Sequence, residues 1–285
     1  MDTYFRSVGF TRVRTQNQMK LLGEYIFQNP DWRYIQSKNC SNVSLDYYKE
    51  YADNMGISIK GVIDNNEKVD IQKVNPFFFT SNIVEVEDLN IESHRGEYFV
   101  TCYHEKTGND IAFYLHNALD YKENHIKKPS TKVNIVGLSV YGKIILPVYR
   151  DPENEPYRQK EEDYYRSLVK GSRSGDESYT RKLNEYERKT NEAIKERLLS
   201  EDFLTVVEGF FLSSYEEYPN YYVLGDIMSV ETIHNVETDE DLYLFMLDIL
   251  GVNLEVCINA KDLMGIPSVG MRFMGQCWLQ GKVLY

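Results

Sequence analysis

Apolar residues recur at helical intervals in only a few places along this chain and alternate with polar residues in most others. Met19, Leu22 and Ile26 follow one another at steps of three and four. Thr15 stands ahead of them as an N-cap, Gln18 sits at the capping-box spacing, and Pro30 lies beyond the end. One helix is therefore expected near the start of the chain. After it the period falls to two. Ile57, Ile59 and, past Gly61, Ile63 alternate with polar positions. Asp64-Asn65-Asn66-Glu67 is turn chemistry, and Val69, Ile71 and Val74 resume the pattern. This predicts a β-hairpin.

Residues 151–202 differ in kind. A Pro-bounded loop at 151–156 leads into a helical pattern over 157–170, with Tyr164, Tyr165 and Leu168 near one face. Gly171-Ser172-Arg173-Ser174-Gly175 breaks it. A second helix is expected over 177–200, with Leu183, Tyr186, Thr190, Ile194 and Leu198 in a stripe and Lys, Arg and Glu elsewhere. The pair is a charged helical hairpin, to be weighed as a plain connector or as a partner-binding arm.

The stretches on either side of this hairpin resemble each other. Ile111, Phe113 and Leu115 match Leu254, Val256 and Ile258 in strand phase, and each run ends in Asn-Ala-x-Asp (Asn117 to Asp120, Asn259 to Asp262). Residues 138–146 parallel 277–285, and Phe77-Phe78 parallels Phe210-Phe211. These landmarks suggest an internal duplication. In the second half strands are expected at 221–234, 241–250, 252–259 and 271–284. Residues 239–250 also fit a helical stripe with Gly251 as its stop; strand is preferred because the matching segment, Tyr98 to Tyr103, is β-branched and aromatic. The expected fold is α+β and mainly antiparallel. An N-terminal α/β region spans 1–75, a first small barrel-like β-module 76–150, the helical hairpin 151–202 and a second β-module 203–285. A strand order of this kind suits a small barrel of the oligonucleotide/oligosaccharide-binding type.

Composition sharpens this picture. Aromatic residues make up 13% of the chain, with 23 Tyr, which excludes a disordered chain. The 32 basic and 44 acidic residues leave a formal charge of −12, which disfavours nucleic acid as a partner. No apolar run is long enough for a membrane span, and residues 1–30 carry charges with no apolar block between them, so neither membrane nor secretory signal is expected. Cys40, Cys102, Cys257 and Cys277 are scattered without a CxxC, as in a reducing cytoplasm.

The familiar chemistries are missing. There is no phosphate-binding GxxxxGK[ST], no dinucleotide fingerprint and no GxSxG. Gly137 to Gly142 and Gly270 to Gly275 have a loop-like spacing but sit inside strand patterns. His104 and His116 could face each other across a hairpin turning at Thr107-Gly108, as a polar cross-strand pair; no metal site and no cofactor is expected. Acidic runs at 85–88, 216–217 and 237–241 could supply the paired carboxylates of a glycosidase, or be turns and solvated faces. The aromatic cluster ahead of the second module offers a binding surface: Tyr215, Tyr218, Tyr221 and Tyr222 combine flat rings with hydrogen-bonding tips. Tyr47-Tyr48 and Tyr164-Tyr165 carry the same two readings, surface or packing.

Several stretches, namely Tyr4 to Phe10, Val256 to Asn259, Asp262-Leu263 with Gly265 and Pro267, and Arg272-Phe273 with Gly275 and Cys277 to Gly281, resemble a family of bacterial proteins of unknown function from Gram-positive anaerobes. The resemblance spans the chain. It implies a cytoplasmic bacterial protein and carries no catalytic residue. The function expected is non-enzymatic binding or scaffolding, through β-modules and a Tyr-rich surface, of a protein or glycan partner. The alternative is a hydrolase of glycans or similar neutral substrates using paired carboxylates. Exposure of the tyrosine cluster favours the first, and a cleft holding two carboxylates with a raised pKa the second.

Overall fold

The computed structural model describes residues 4–285 apart from 39–41, 65, 67, 95, 124–130, 149–151 and 215–218. Strands form 49% of the described residues and helices 28%, so β-structure dominates. Among the described residues no helix is long and apolar enough to cross a membrane.

A 3₁₀ turn, Tyr4–Val8, precedes α1 (Gln16–Gln28). The capping box forms as expected: Thr15 Oγ1 accepts from the Gln18 N–H at 3.2 Å, and Gln18 Oε1 accepts from the Thr15 N–H at 3.1 Å. Four strands follow, β1 (Trp32–Lys38), β2 (Asn42–Ala52), β3 (Met55–Asp64) and β4 (Val69–Phe78), and make an antiparallel sheet in that order. The expected hairpin is β3–β4, with Ile63 opposite Val69.

A ten-stranded mixed sheet takes most of the rest. Its first group is β5 (Val84–His94), β6 (Glu97–His104), β7 (Asp110–Leu115), the short α2 (Ala118–Glu123) and β8 (Lys132–Ile145). The helical hairpin comes next: α3 (Glu155–Arg173) and α4 (Glu177–Arg197), followed by the single turn α5 (Phe203–Val206). The second group is β9 (Phe210–Ser213), β10 (Asn220–Asn235), β11 (Glu240–Ile249), β12 (Val252–Asn259), β13 (Leu263–Met264) and β14 (Arg272–Val283). Residues 240–249 are strand, not helix, because they pair on both sides, with β10 and with β12.

The two groups do not close separately, as a barrel of the expected kind would. β8 and β14 form a long antiparallel ribbon. β5 pairs with β8 and β10 with β14, but the third strand of each group crosses over: β7 pairs in parallel with β14, and β12 in parallel with β8. The pairings therefore make two five-strand rings that share the ribbon. One set of correspondences carries the first ring onto the second. Val84–Val133 goes to Val223–Gly275, Ile91–Val100 to Val230–Phe245, Val100–Phe113 to Phe245–Val256, and Tyr114–Gln280 to Cys257–Leu138. This places Ile111, Phe113 and Leu115 on Leu254, Val256 and Ile258. The other landmarks fare differently. Leu138 falls on Gln280 rather than Cys277, and Phe77-Phe78 ends the four-stranded sheet whereas Phe210-Phe211 opens β9 of the large one.

The glycines of the ribbon are close-approach positions. Gly142 and Gly275 lie opposite each other under the ring of Phe273, and a Cβ on Gly281 would lie 2.1 Å from the Asn134 carbonyl. Two apolar cores result. Phe113, Ile135 and Leu279 belong to one, while their chain neighbours Tyr114, Val136 and Trp278 belong to the other, together with Phe5, Ile26, Tyr47 and Ile57 of the N-terminal unit. The ribbon is thus buried on both faces, and its strands read as near-continuous apolar runs.

Candidate functional site

β2 lays alternate side chains on opposite faces of its sheet. Leu45, Tyr47 and Tyr51 join the core, Tyr47 stacking on Phe27 of α1 at 5.6 Å. Asp46 and Tyr48 point the other way, toward the corner where β7, α2 and the end of β14 meet. Here the protein has a cleft of about 330 Å³, at the small end of ligand pockets. Trp32, Tyr34, Tyr48 and Phe79 supply aromatic walls. Asp46, Asn117, Asp120, Asn134, Gln280 and Lys282 supply polar groups.

Asp46 is the group that calls for an explanation. It is 3% exposed. Its Oδ2 accepts from the Tyr48 hydroxyl at 3.0 Å and lies 3.8 Å from Lys60 Nζ. Its Oδ1 is buried with no hydrogen-bond partner. Burial pushes its pKa up to about 6; Lys60 and the Tyr48 hydroxyl oppose the shift, and the charge of Asp120 adds to it. Lys60 stays firmly charged: burial works against its ammonium, but Tyr114 and Asp46 outweigh it and raise its pKa. That ammonium lies 3.4 Å from the Leu115 and His116 carbonyls and 4.7 Å from the centre of the Tyr114 ring.

Behind this pair His116 is fully buried and hydrogen-bonded to Gln280. Gln280 Oε1 also accepts from the Phe78 N–H at 3.2 Å, so it is an acceptor and His116 Nε2 carries the proton. His116 Nδ1 is left without a partner, and burial together with the Lys60 charge holds the pKa well below the ordinary histidine value. Lys282 lies 3.2 Å from the centre of the Phe79 ring, and burial lowers its pKa against the pull of Asp120 and Asp46. The cleft therefore offers ring-stacking walls and a buried carboxylate that exchanges its proton near neutral pH.

The structure separates the expected tyrosine cluster. Tyr215 and Tyr218 lie outside the described residues. Tyr221 is 1% exposed, stacks on Phe211 at 4.5 Å, and its hydroxyl accepts from the Ala112 N–H at 2.8 Å. Tyr222, next along β10, is 48% exposed on the opposite face. These two cannot share a binding surface, because consecutive strand residues point to opposite sides.

Other expectations resolve in the same way. His104 and His116 lie at opposite ends of the β6–β7 hairpin, since Tyr103 pairs with Asp110 and Phe99 with Tyr114. Glu85 and Glu87 make surface ion pairs with Lys132 and Lys170. Glu240 is buried and hydrogen-bonded to Thr11, Asn259 and Lys261, a structural role; residues 216–217 lie outside the described set. Among the described residues no three His, Cys, Asp or Glu side chains gather as a metal site. The two Asn-Ala-x-Asp runs have different duties. Asn259 and Asp262 tie down Arg6 of the N-terminal turn, whereas Asn117 and Asp120 line the cleft. Asp46 was missed. A charged residue between Leu45 and Tyr47-Tyr48, on a strand with both faces covered, was the available signal.

This geometry defines a mainly antiparallel β protein with a buried carboxylate lining an aromatic-walled cleft. Residues 5–281 match the family described as "Domain of unknown function, E. rectale Gene description (DUF3881)", and the chain belongs to that family. No curated protein and no solved structure matches the chain.

Proposed function

We propose that this protein binds a sugar-type ligand, a compact ring bearing hydroxyls, in the cleft walled by Trp32, Tyr34, Tyr48 and Phe79. The observation that carries this reading is Asp46 Oδ1. Buried polar atoms are nearly always hydrogen-bonded, and this acceptor lacks a partner while its residue lines a cleft. A ligand hydroxyl completes it. Flat aromatic walls suit the apolar face of a sugar ring. Binding of this kind retains the expected non-enzymatic role and moves it from the 215–222 cluster to the N-terminal sheet.

The test is a fluorescence titration. Trp32 is 38% exposed in the cleft, whereas Trp278 is buried. Neutral monosaccharides are expected to change the Trp32 signal and to leave a Trp32→Phe variant silent. Asp46→Asn, with its fold checked by near-UV circular dichroism, is expected to weaken binding about 10–100-fold, the worth of a hydrogen bond to a charged group. An unchanged affinity in that variant would sink the assignment.

A second reading has one observation in its favour: Asp46 titrates near 6 with Asp120 in the same cleft. A glycosidase pairs an acid of raised pKa with a second carboxylate, and these two residues are the candidates for that pair. Hydrolysis of aryl glycosides abolished by Asp46→Asn and by Asp120→Asn would support it; no turnover across pH 4–8 would leave the protein a binder. We further propose that the two β-groups arose by duplication of one four-stranded unit, which accounts for the single set of correspondences between the rings.

A further inference from the structure

Most polar groups of the cleft are already committed to the protein. Asn117 exchanges two hydrogen bonds with the Val283 backbone, at 2.9 and 3.1 Å. Asn134 Nδ2 donates to the Asn82 carbonyl at 2.7 Å. Gln280 is held by His116, the Phe78 N–H and the Pro76 carbonyl. Two groups in this one cleft stand apart. Asp46 Oδ1 is a buried acceptor without a donor. Lys282, two residues beyond Gln280 on the same face of β14, is an ammonium without an acceptor. It rests on the Phe79 ring, 3.2 Å from its centre, and makes no hydrogen bond and no ion pair among the described residues. The ring satisfies none of its three donors with an oxygen. Burial lowers its pKa, and the carboxylates of Asp120 and Asp46 offset this only from beyond contact distance.

The neighbouring charges leave this ammonium as the surplus. Asp46 has Lys60 beside it at 3.8 Å. Asp120 and Lys122 of α2 act on Asp46 with opposite signs. These two carboxylates thus stand against three ammoniums, and Lys282 is the only cation among the described residues that line the cleft. Partly buried charges are ordinarily paired.

Resting on the reading of the cleft as a sugar site, we propose that its ligand is an acidic sugar, a ring that donates a hydroxyl to Asp46 Oδ1 and sets a carboxylate against Lys282. The chemistry selects this class, because one ligand must bring a donor to the first group and an acceptor to the second. A neutral sugar offers Lys282 only a hydroxyl oxygen, whereas a carboxylate makes a charge-assisted bond about twice as strong. A doubly charged phosphate sets a second negative charge against Asp46 and Asp120. A simple organic acid satisfies Lys282 but leaves Asp46 Oδ1 unpaired.

The experiment follows Trp32 fluorescence in the full chain, at low salt and pH 7, with glucose, glucuronate and glucuronate methyl ester, and with the same three compounds of the galactose series. In at least one series the uronate is expected to bind at least about tenfold more tightly than the neutral sugar. Esterification is expected to remove that gain in the natural protein. Lys282→Gln, with its fold checked by near-UV circular dichroism, is expected to remove it too. Equal affinities for the neutral sugar and its uronate in both series, a gain that survives esterification, or a gain that survives Lys282→Gln would each overturn the proposal. Glucose 6-phosphate binding more tightly than either uronate would overturn the choice of a carboxylate, and benzoate binding as tightly as the uronates would overturn the choice of a sugar. If no sugar, neutral or acidic, moves the signal, the reading of the cleft itself falls, an outcome distinct from neutral and acidic sugars binding alike.

Discussion

Asp46 and His104 impose opposite pH dependences on the stability of one molecule. Asp46 has its folded pKa raised to about 6 by burial, above the ordinary carboxyl value, so the folded state binds the extra proton between about pH 4 and 6. Its contribution is present at low pH and lost as pH rises through that window. His104 is the reverse. The Thr107 N–H donates to His104 Nδ1 at 3.2 Å, and the Thr107 hydroxyl lies 2.9 Å from the same nitrogen. The ring is therefore neutral, and burial lowers its pKa to about 4. Its contribution is present above the unfolded value near 6.5 and is lost as pH falls. Thermal unfolding across pH 4–7 should show this as two opposite differences. Relative to the natural protein, Asp46→Asn gains stability on going from pH 4 to 6, by about 1–3 kcal/mol. His104→Gln becomes relatively more stable on going from pH 6.5 to 4, by a similar amount. Parallel curves for all three proteins would contradict both assignments.

At the scale of elements, the contacts that anchor the helical hairpin among the described residues come chiefly from α3. Leu168 of α3 is buried, Arg173 stacks over Tyr103 at 3.7 Å, and Lys170 pairs with Glu87 at 3.0 Å. α4 has no buried residue and meets the protein chiefly through α3, where a Cβ on Gly171 would strike the Tyr179 ring at 2.2 Å. Its helicity rests on packing against α3 and on surface pairs such as Arg188–Glu192, each worth only about 0.3–0.5 kcal/mol. Amide hydrogen exchange is expected to be fastest along α4, slower along α3 and slowest along β8 and β14. Leu168→Ala, which leaves a cavity at the docking point, should cost about 2–4 kcal/mol of docking energy. It should expose the Ser174-Gly175 turn to limited proteolysis while the sheet still melts as before. A joint loss of hairpin and sheet would show instead that the hairpin is integral to the core.

For the whole molecule, the shared ribbon makes the two rings interdependent. Neither group of strands closes without the last strand of the other, so thermal unfolding of the β portion is expected as one cooperative transition. Gly281→Ala tests this at the point of closest approach. Its Cβ would meet a backbone carbonyl at 2.1 Å and the Phe113 ring at 3.1 Å, so β14 must shift against β8. A loss of about 2–4 kcal/mol and a Tm lowered by roughly 5 °C or more are expected, with both rings affected together. Gly175→Ala is the control. Unlike Gly281 it has a positive φ, +85°, but nothing lies near its Cβ, and it should cost only the about 1–2 kcal/mol of the left-handed backbone. Two separable transitions in the Gly281 variant would argue that each ring folds alone.

Local chemistry made much of this architecture legible in the sequence. Thr15 and Gln18 defined the start of α1, turn residues placed the β3–β4 hairpin, and alternation located β10, β11, β12 and β14 to within a residue or so. Each of those signals is written in a few neighbouring side chains. The candidate site was not legible, because its parts come from β1, β2, the end of β4, α2 and β14, far apart in the chain. Tyr47 and Tyr48 are adjacent in sequence, yet one packs on α1 and the other faces the cleft. Tyr221 and Tyr222 divide between core and solvent in the same way. The phase of a strand says which residues share a face, but only tertiary packing decides what that face meets. The crossing of β7 onto β14 and of β12 onto β8 was likewise beyond local signals, since hydrogen bonds between distant strands carry no mark of their partner's identity. The residues determined the strands; the packing of the two rings against the N-terminal sheet decided that Asp46 is buried beside Lys60 with one oxygen unpaired.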